Sequence, residues 1–139
     1  MKHRLFVYGT LMAGQANAHM MAGARPIGRA ATIAAFDLLD CSNLADYGAF
    51  PGLRPGGRTS VKGQLYLVDD GQLAALDQFE GHPTLFTRTD IALAGGGAAQ
   101  SYIVAAGRFV SASLIPSGDW RRHLQRRGAL RLAGSDADP

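Results

Sequence analysis

One residue of this 139-residue chain stands apart on type alone: Glu80 is the only glutamate, and the other ten acidic residues are aspartates. It closes the segment Asp70-Gly71-Gln72-Leu73-Ala74-Ala75-Leu76-Asp77-Gln78-Phe79-Glu80. Leu73, Leu76 and Phe79 recur there at near-helical spacing, which predicts a helix from Asp70 to Glu80. Asp69 and Asp70 can cap its start, and Gly81 and Pro83 stop it. Glu80 follows Leu76 by four residues and Leu73 by seven, so its carboxylate shares their apolar face and points toward the core. It also sits at the helix C-terminus, where the negative end of the macrodipole opposes ionisation. Burial and dipole both raise a carboxyl pKa, and a carboxyl that titrates near neutrality can act first as general base and then as general acid. The same placement suits a plainer role, a carboxylate anchoring the helix end through hydrogen bonds to nearby backbone. Helix geometry leaves both open.

A second feature is Tyr8-Gly9-Thr10-Leu11, which follows a short apolar run, Arg4 to Tyr8. A Gly-Thr turn at the carboxyl end of a strand exposes successive backbone N–H groups, and these can cradle a carboxylate or a developing oxyanion. Other chemistries are missing from the sequence. It contains no GxSxG, no P-loop and no GxGxxG. His3, His19, His82 and His123 fall at no metal-ligand spacing and read as scattered surface histidines. Cys41, the single cysteine, excludes an internal disulfide and a multi-cysteine zinc or iron–sulfur site, and it reads as a bystander thiol. Neither a metal nor a cofactor is expected.

The elements that must position these groups are legible in outline. Arg4 to Tyr8 reads as a buried first strand, and residues 12–25 as a loop with one helical turn. Gly28 to Leu39 has strand character, whereas Asp40 to Ser60 is dense in Gly, Pro, Asn and Ser and reads as a long loop of the functional kind. Val61 to Val68 alternates as a strand. After the Glu80 helix, Leu85 to Leu93 and Ser101 to Ala106 form two strands joined through Gly95-Gly96-Gly97. A short basic helix is predicted over Asp119 to Arg127, and Gly134 to Pro139 as a frayed tail. Most strands are not separated by crossover helices, so a doubly wound parallel sheet is excluded. The expected class is α+β: a mixed sheet closed into a barrel, with a few helices packed outside.

Length suits one domain, assigned here to residues 1–131 with a flexible tail at 132–139. No apolar run reaches the roughly 18 residues of a membrane span, and the opening Met1-Lys2-His3-Arg4-Leu5-Phe6-Val7-Tyr8-Gly9 breaks too early for a secretory signal. A cytoplasmic protein without membrane association is expected. The net charge of +3 is unevenly spread. Arg121, Arg122, Arg126, Arg127 and Arg131 stand against Asp119 alone, while the rest of the chain holds nine basic and ten acidic residues. Basicity therefore belongs to the last helix, not to the fold. A solvated helix face explains it, and without aromatic residues interleaved among basic strands no nucleic-acid partner is expected.

Taken in order, Leu5-Phe6-Val7-Tyr8-Gly9-Thr10-Leu11, Phe50-Pro51-Gly52-Leu53, Gly63-Gln64-Leu65-Tyr66, Leu76-Asp77-Gln78-Phe79-Glu80-Gly81-His82-Pro83 and Arg88 resemble the γ-glutamylcyclotransferase-like superfamily. Within it the small γ-glutamylamine cyclotransferase (AIG2-like) branch is most similar. The resemblance runs from about Leu5 to Ala106 and ends before the basic helix. It implies a compact mixed β-barrel, in agreement with the reading of the elements. It also implies that Tyr8, Gly9, Thr10 and Leu11 bind the γ-glutamyl part of a small substrate through backbone groups, and that Glu80 is the acid/base. Two departures bear on substrate orientation. Phe86 stands where the family often has a tyrosine, so that substrate-contact position lacks a hydroxyl. Val104 and Ala105 follow Tyr102 where a late tyrosine is common.

A γ-glutamyl amide carries its own nucleophile, the α-amine, poised to close a five-membered ring on the γ-carbonyl. The expected reaction thus needs no protein nucleophile and no cofactor, and it releases 5-oxoproline and a free amine. A different class of function fits the same fold: a non-catalytic member that binds an acidic metabolite or a partner protein. Glu80 argues for the enzyme. The leaving amine and the oligomeric state are not encoded legibly.

Overall fold

The computed structural model describes residues 1–42 and 48–137, with side chains as far as Gly128. Among the described residues eight strands and two α-helices, with a 3-10 turn at Ala18–Met21, follow one another as β1 (Lys2–Val7), β2 (Arg25–Ala31), β3 (Phe36–Asp40), β4 (Pro51–Pro55), β5 (Lys62–Asp69), α1 (Asp70–Phe79), β6 (Phe86–Ala92), β7 (Ala98–Val104), β8 (Ser113–Leu114) and α2 (Trp120–Ala137). All strands join one mixed sheet in the order β2-β5-β1-β7-β4-β3-β8, with β6 also on β7. The β1–β7 and β4–β7 pairs are parallel; the others are antiparallel. The sheet curls until the ends of β2 and β6 meet at the Thr32↔Leu93 bridge, supported by Ile33 N–H to Ala92 O (3.1 Å) and Ala94 N–H to Ala31 O (2.9 Å). A mixed α+β barrel with flanking helices is the observed class, as expected, and its last seam is a single bridge.

The strand order explains the sequence of β1. It lies between β5 and β7, so Leu5, Phe6 and Val7 are all buried and the run is continuously apolar instead of alternating. Strand β7 organises the site. Its seven residues pair with β6 along one edge, while its other edge is shared by β1, at Leu5↔Gln100, and β4, at Leu53↔Ile103. Where β1 diverges from β7 and β4 takes its place, Tyr8 fills the fork. Its buried hydroxyl donates to Tyr102 O (2.7 Å) and accepts from Leu53 N–H (3.1 Å), tying three strands together at one atom.

Three expectations are corrected. The strand expected over Gly28 to Leu39 is broken: β2 pairs with β5, and β3 pairs with β4. Between them Thr32, fully buried, turns the chain, its hydroxyl donating to Ile33 O (2.8 Å) and accepting from Val61 N–H (3.0 Å). The long loop from Asp40 to Ser60 contains a strand, β4, which Pro51, Gly52 and Pro55 disguise because they are depleted in strands. Residues 43–47 of that loop lie outside the described residues. Helix α2 does not stop at Arg127 but runs to Ala137, so residues 134–137 of the expected frayed tail are helical. Ala129, Leu130, Arg131, Leu132 and Ala133 are strong helix formers, and they carry the helix across Gly128. Among the described residues no helix is long and apolar enough to cross a membrane.

Candidate active site

Helix α1 forms as its sequence predicts. Asp69 caps it by accepting from Gln72 N–H (2.8 Å), and the Gln72 side chain accepts from Asp69 N–H (3.0 Å) in return. Leu73 and Leu76 pin it to the core. The far end closes on Gly81, whose φ of 66° only glycine adopts readily: Gly81 N–H reaches Gln78 O (3.2 Å) and His82 N–H reaches Asp77 O (2.9 Å). The backbone thus satisfies the helix end by itself, and the Glu80 side chain is not needed for it. Among the described residues, none hydrogen-bonds or ion-pairs with the Glu80 carboxyl. That geometry removes the anchoring role. Burial pushes the Glu80 carboxyl up to about 7, although one flank is open to a cavity.

The loop after β1 faces it. Met12 N–H bonds Gly9 O (3.1 Å), and Asn17 ties the loop shut through its N–H to Thr10 O (2.8 Å) and its amide to Thr10 Oγ1 (3.0 Å). Gly9 is required by a close approach: a Cβ there would lie 2.4 Å from Pro51 Cγ and 2.8 Å from Pro51 Cδ. Among the described residues, no acceptor takes the N–H of Gly9, Thr10 or Leu11. Three successive amides beside the cavity are thus unengaged among the described residues.

One cavity of about 270 Å³ brings these parts together. Tyr8, Gly9, Thr10, Leu11, Glu80 and Phe86, the residues singled out from the sequence, all line it. The Tyr8 hydroxyl, however, is spent on Tyr102 and Leu53, and burial foremost, then the Glu80 charge, holds it well above its ordinary pKa. Tyr8 can offer only its ring and backbone. Phe86 packs in an aromatic cluster, its ring centroid 6.2 Å from Phe50 and 6.0 Å from Phe109, and forms an apolar wall. Phe50 and Pro51, from the long loop expected to be functional, also line the cavity, together with Asn17, Phe79, Leu85 and Tyr102, which no sequence motif assigned to a site. Phe79 is 42% exposed at the helix end, the one large apolar residue of α1 that the core does not cover.

Another carboxylate at this end of α1 lies three residues before Glu80. Asp77 takes a bidentate pair from Arg88, Nε to Oδ1 (2.7 Å) and Nη2 to Oδ2 (3.1 Å), and the Tyr102 hydroxyl donates to Oδ1 (2.7 Å). Arg88 also donates Nη1 to Gln100 (3.0 Å), and its N–H bonds His82 Nδ1 (3.0 Å). Burial works against ionisation of Asp77, yet hydrogen bonds from Arg88 and Tyr102 hold it below its ordinary value. Cys41 is buried and its thiol is pushed up to about 12, by burial first and Asp40 second, so it is no nucleophile at neutral pH. The paired histidines are structural: His3 meets Asp70 (2.5 Å) and His123 meets Asp40 (2.7 Å).

Fold and site together define a small α+β barrel protein with a single-carboxylate pocket facing a loop of unengaged amides. A family profile described as γ-glutamyl cyclotransferase, AIG2-like, matches residues 5–122, and the chain belongs to that family. A Vibrio cholerae protein provisionally named a γ-glutamylcyclotransferase is 38% identical over 120 residues, 86% of this chain and 96% of that protein. Rat γ-glutamylaminecyclotransferase is 38% identical over 94 residues, covering 61% of this chain and 59% of the rat protein. Among solved structures, a mouse AIG2-like protein superposes with a TM-score of 0.70 at 30% identity, covering 85% of this chain and 88% of its own. The resemblance read from the motifs is borne out.

Proposed function

We propose that the protein is a γ-glutamyl cyclotransferase acting on a γ-glutamyl amine or amide, with Glu80 as its single acid/base. The observation that carries this reading is the pairing, in one cavity, of a carboxyl without hydrogen bonds among the described residues, raised to about 7, with the unengaged amides of Gly9, Thr10 and Leu11. Family membership and the name of the rat relative support it.

The reaction asks little else of the protein. The substrate's α-amine forms the new C–N bond to its own γ-carbonyl, and ring closure replaces a bimolecular attack by an intramolecular one. The amine arrives as ammonium, so it must first give a proton to the Glu80 carboxylate. As the carbonyl oxygen takes on charge, N–H groups of the Gly9–Leu11 loop hold it; one such donor is worth roughly 10²–10³ in rate. The γ-amide C–N bond then breaks and the leaving nitrogen takes a proton from Glu80. Two protons leave the attacking nitrogen and two reach the leaving nitrogen, relayed in turn, so Glu80 ends as it began. The products are 5-oxoproline and a free amine. Phe86 and Phe50 shield the ring from water without a hydroxyl of their own.

The test is incubation of the purified protein with a panel of γ-glutamyl amides, including γ-glutamyl-lysine, γ-glutamyl dipeptides and glutathione, reading 5-oxoproline by mass spectrometry. Release from at least one compound is expected. Stoichiometric binding of these compounds with no release from any would establish the non-catalytic alternative.

A further inference from the structure

The catalytic cavity leaves the positive charge of the chain unexplained. Arg29, Lys62, Arg121 and Arg122 line a second hollow, of about 630 Å³, between β2, β5 and the start of α2. Asp119 is the one acid among its lining residues, and its Oδ1 is occupied as the cap of α2, accepting from Arg122 N–H (3.3 Å). Elsewhere three arginines are matched, Arg54 with Asp37, Arg88 with Asp77 and Arg127 with Asp40, while other arginines unpaired among the described residues, such as Arg25 and Arg58, do not line this hollow. Among the described residues, none of the four cations of the hollow has an ion-pair partner. Four positive charges against the single negative charge of Asp119, gathered around a concave surface, raise the local potential and concentrate anions. Gln64 and Gln125 add neutral hydrogen-bonding groups to the wall.

The hollow touches the catalytic loop from behind. Met12 lines the hollow, while its neighbour Leu11 lines the cavity. The next residue, Ala13, is gripped by two side chains of the hollow: its N–H donates to Gln64 Oε1 (3.0 Å), and its carbonyl accepts from Arg121 Nη2. We propose that this hollow binds a compact anion carrying two or more negative charges, and that its occupancy reaches the Gly9–Leu11 loop through Arg121, Gln64 and Ala13. A guanidinium drawn toward a bound anion must share or give up its bond to Ala13 O, which loosens one side of that grip. The volume suits a small molecule and not a polymer segment.

Titrating the full chain calorimetrically with inorganic pyrophosphate and with citrate, at low ionic strength, tests the site. Saturable one-to-one binding of at least one is expected, and the tighter of the two identifies phosphate or carboxylate as the recognised group. The Ala13 amide resonance should shift with the same midpoint. Replacing Arg29→Gln and Lys62→Gln together should weaken binding about tenfold or more, since two of the four cations are lost. Arg25→Gln with Arg58→Gln, the same charge loss away from the hollow, should change it by less than about threefold through the general field. No saturable binding of either anion, an equal loss in both double variants, or an Ala13 amide unmoved at saturation would overturn the proposal. So would length-dependent binding of single-stranded DNA in place of both small anions. No readout here depends on turnover, so this site can fail while the cyclotransferase reading stands, and the reverse.

Discussion

The C-terminal end of helix α1 carries two carboxylates three residues apart, Asp77 in its last turn and Glu80 as its C-cap, and they live in opposite worlds. Asp77 has its oxygens taken by Arg88 and Tyr102, and those bonds hold its pKa down. Glu80 is offered no hydrogen bond by the described residues, and burial lifts it to about 7. Glu80 is half-buried with its carboxyl reached from the cavity, and carboxyls of raised pKa in clefts concentrate where chemistry is done. The difference shows how one short helix divides its labour. Asp77 fixes the helix end to β6 and β7, which lets the carboxyl three residues later be held, unengaged, against the cavity.

The two carboxylates differ most in what their loss should do to turnover. Glu80→Gln keeps size and shape but cannot cycle a proton, so turnover to 5-oxoproline should fall roughly 10²–10⁴-fold while the protein folds and binds a γ-glutamyl ligand. Turnover unchanged in the folded variant would assign Glu80 no catalytic role. Asp77→Ala should do the opposite kind of damage. It leaves Arg88 and the Tyr102 hydroxyl without their partner; since both ionic side chains are 22% exposed, the cost should be about 2–3 kcal/mol of stability, below that of a fully buried pair, read by denaturant unfolding. A loss under about 0.5 kcal/mol would mean the network does not hold the helix end.

The same contrast has a pH signature. A carboxyl raised from 4.5 to about 7 in the fold is destabilising once it must ionise: its cost is absent below pH 4.5, grows between 4.5 and 7, and is complete above. Glu80→Gln should therefore be more stable than the parent at pH 8 by about 1–3 kcal/mol and gain nothing at pH 4. Asp77, with its lowered value, runs the other way: its stabilisation is present at neutral pH and lost as pH falls below the ordinary aspartate range. Thermal melts of parent and variants across that range check both signs. The smallest effect is expected from removing residues 132–139, proposed here to lie outside the folded unit: turnover should be unchanged and stability altered by less than about 0.5 kcal/mol.

Much of the site was readable because its cues are local. A lone glutamate at helical spacing from Leu73 and Leu76, and a Gly-Thr turn ending an apolar strand, need only neighbours in sequence to be noticed. The Asp77 network was not readable, because its partners sit 11 and 25 residues away and meet only once β6 and β7 pair. Nor was the role of the Tyr8 hydroxyl, which depends on a fork between strands 45 and 94 residues apart in the chain from it. Strand β4 escaped because proline and glycine signal a loop, and the turn at Thr32 escaped because neither residue type marks it. Periodicity finds helices and faces; it does not find which edge of which strand is shared.

Because Glu80 is the sole glutamate, its protonation can be followed directly. Protein labelled with ¹³C at the glutamate side-chain carboxyl should give one resonance, and its chemical shift followed against pH titrates this group alone. A midpoint near 7 is expected, coinciding with the acidic limb of the turnover profile. A midpoint near 4.5, or a turnover profile indifferent to it, would contradict the assignment of Glu80 as the acid/base.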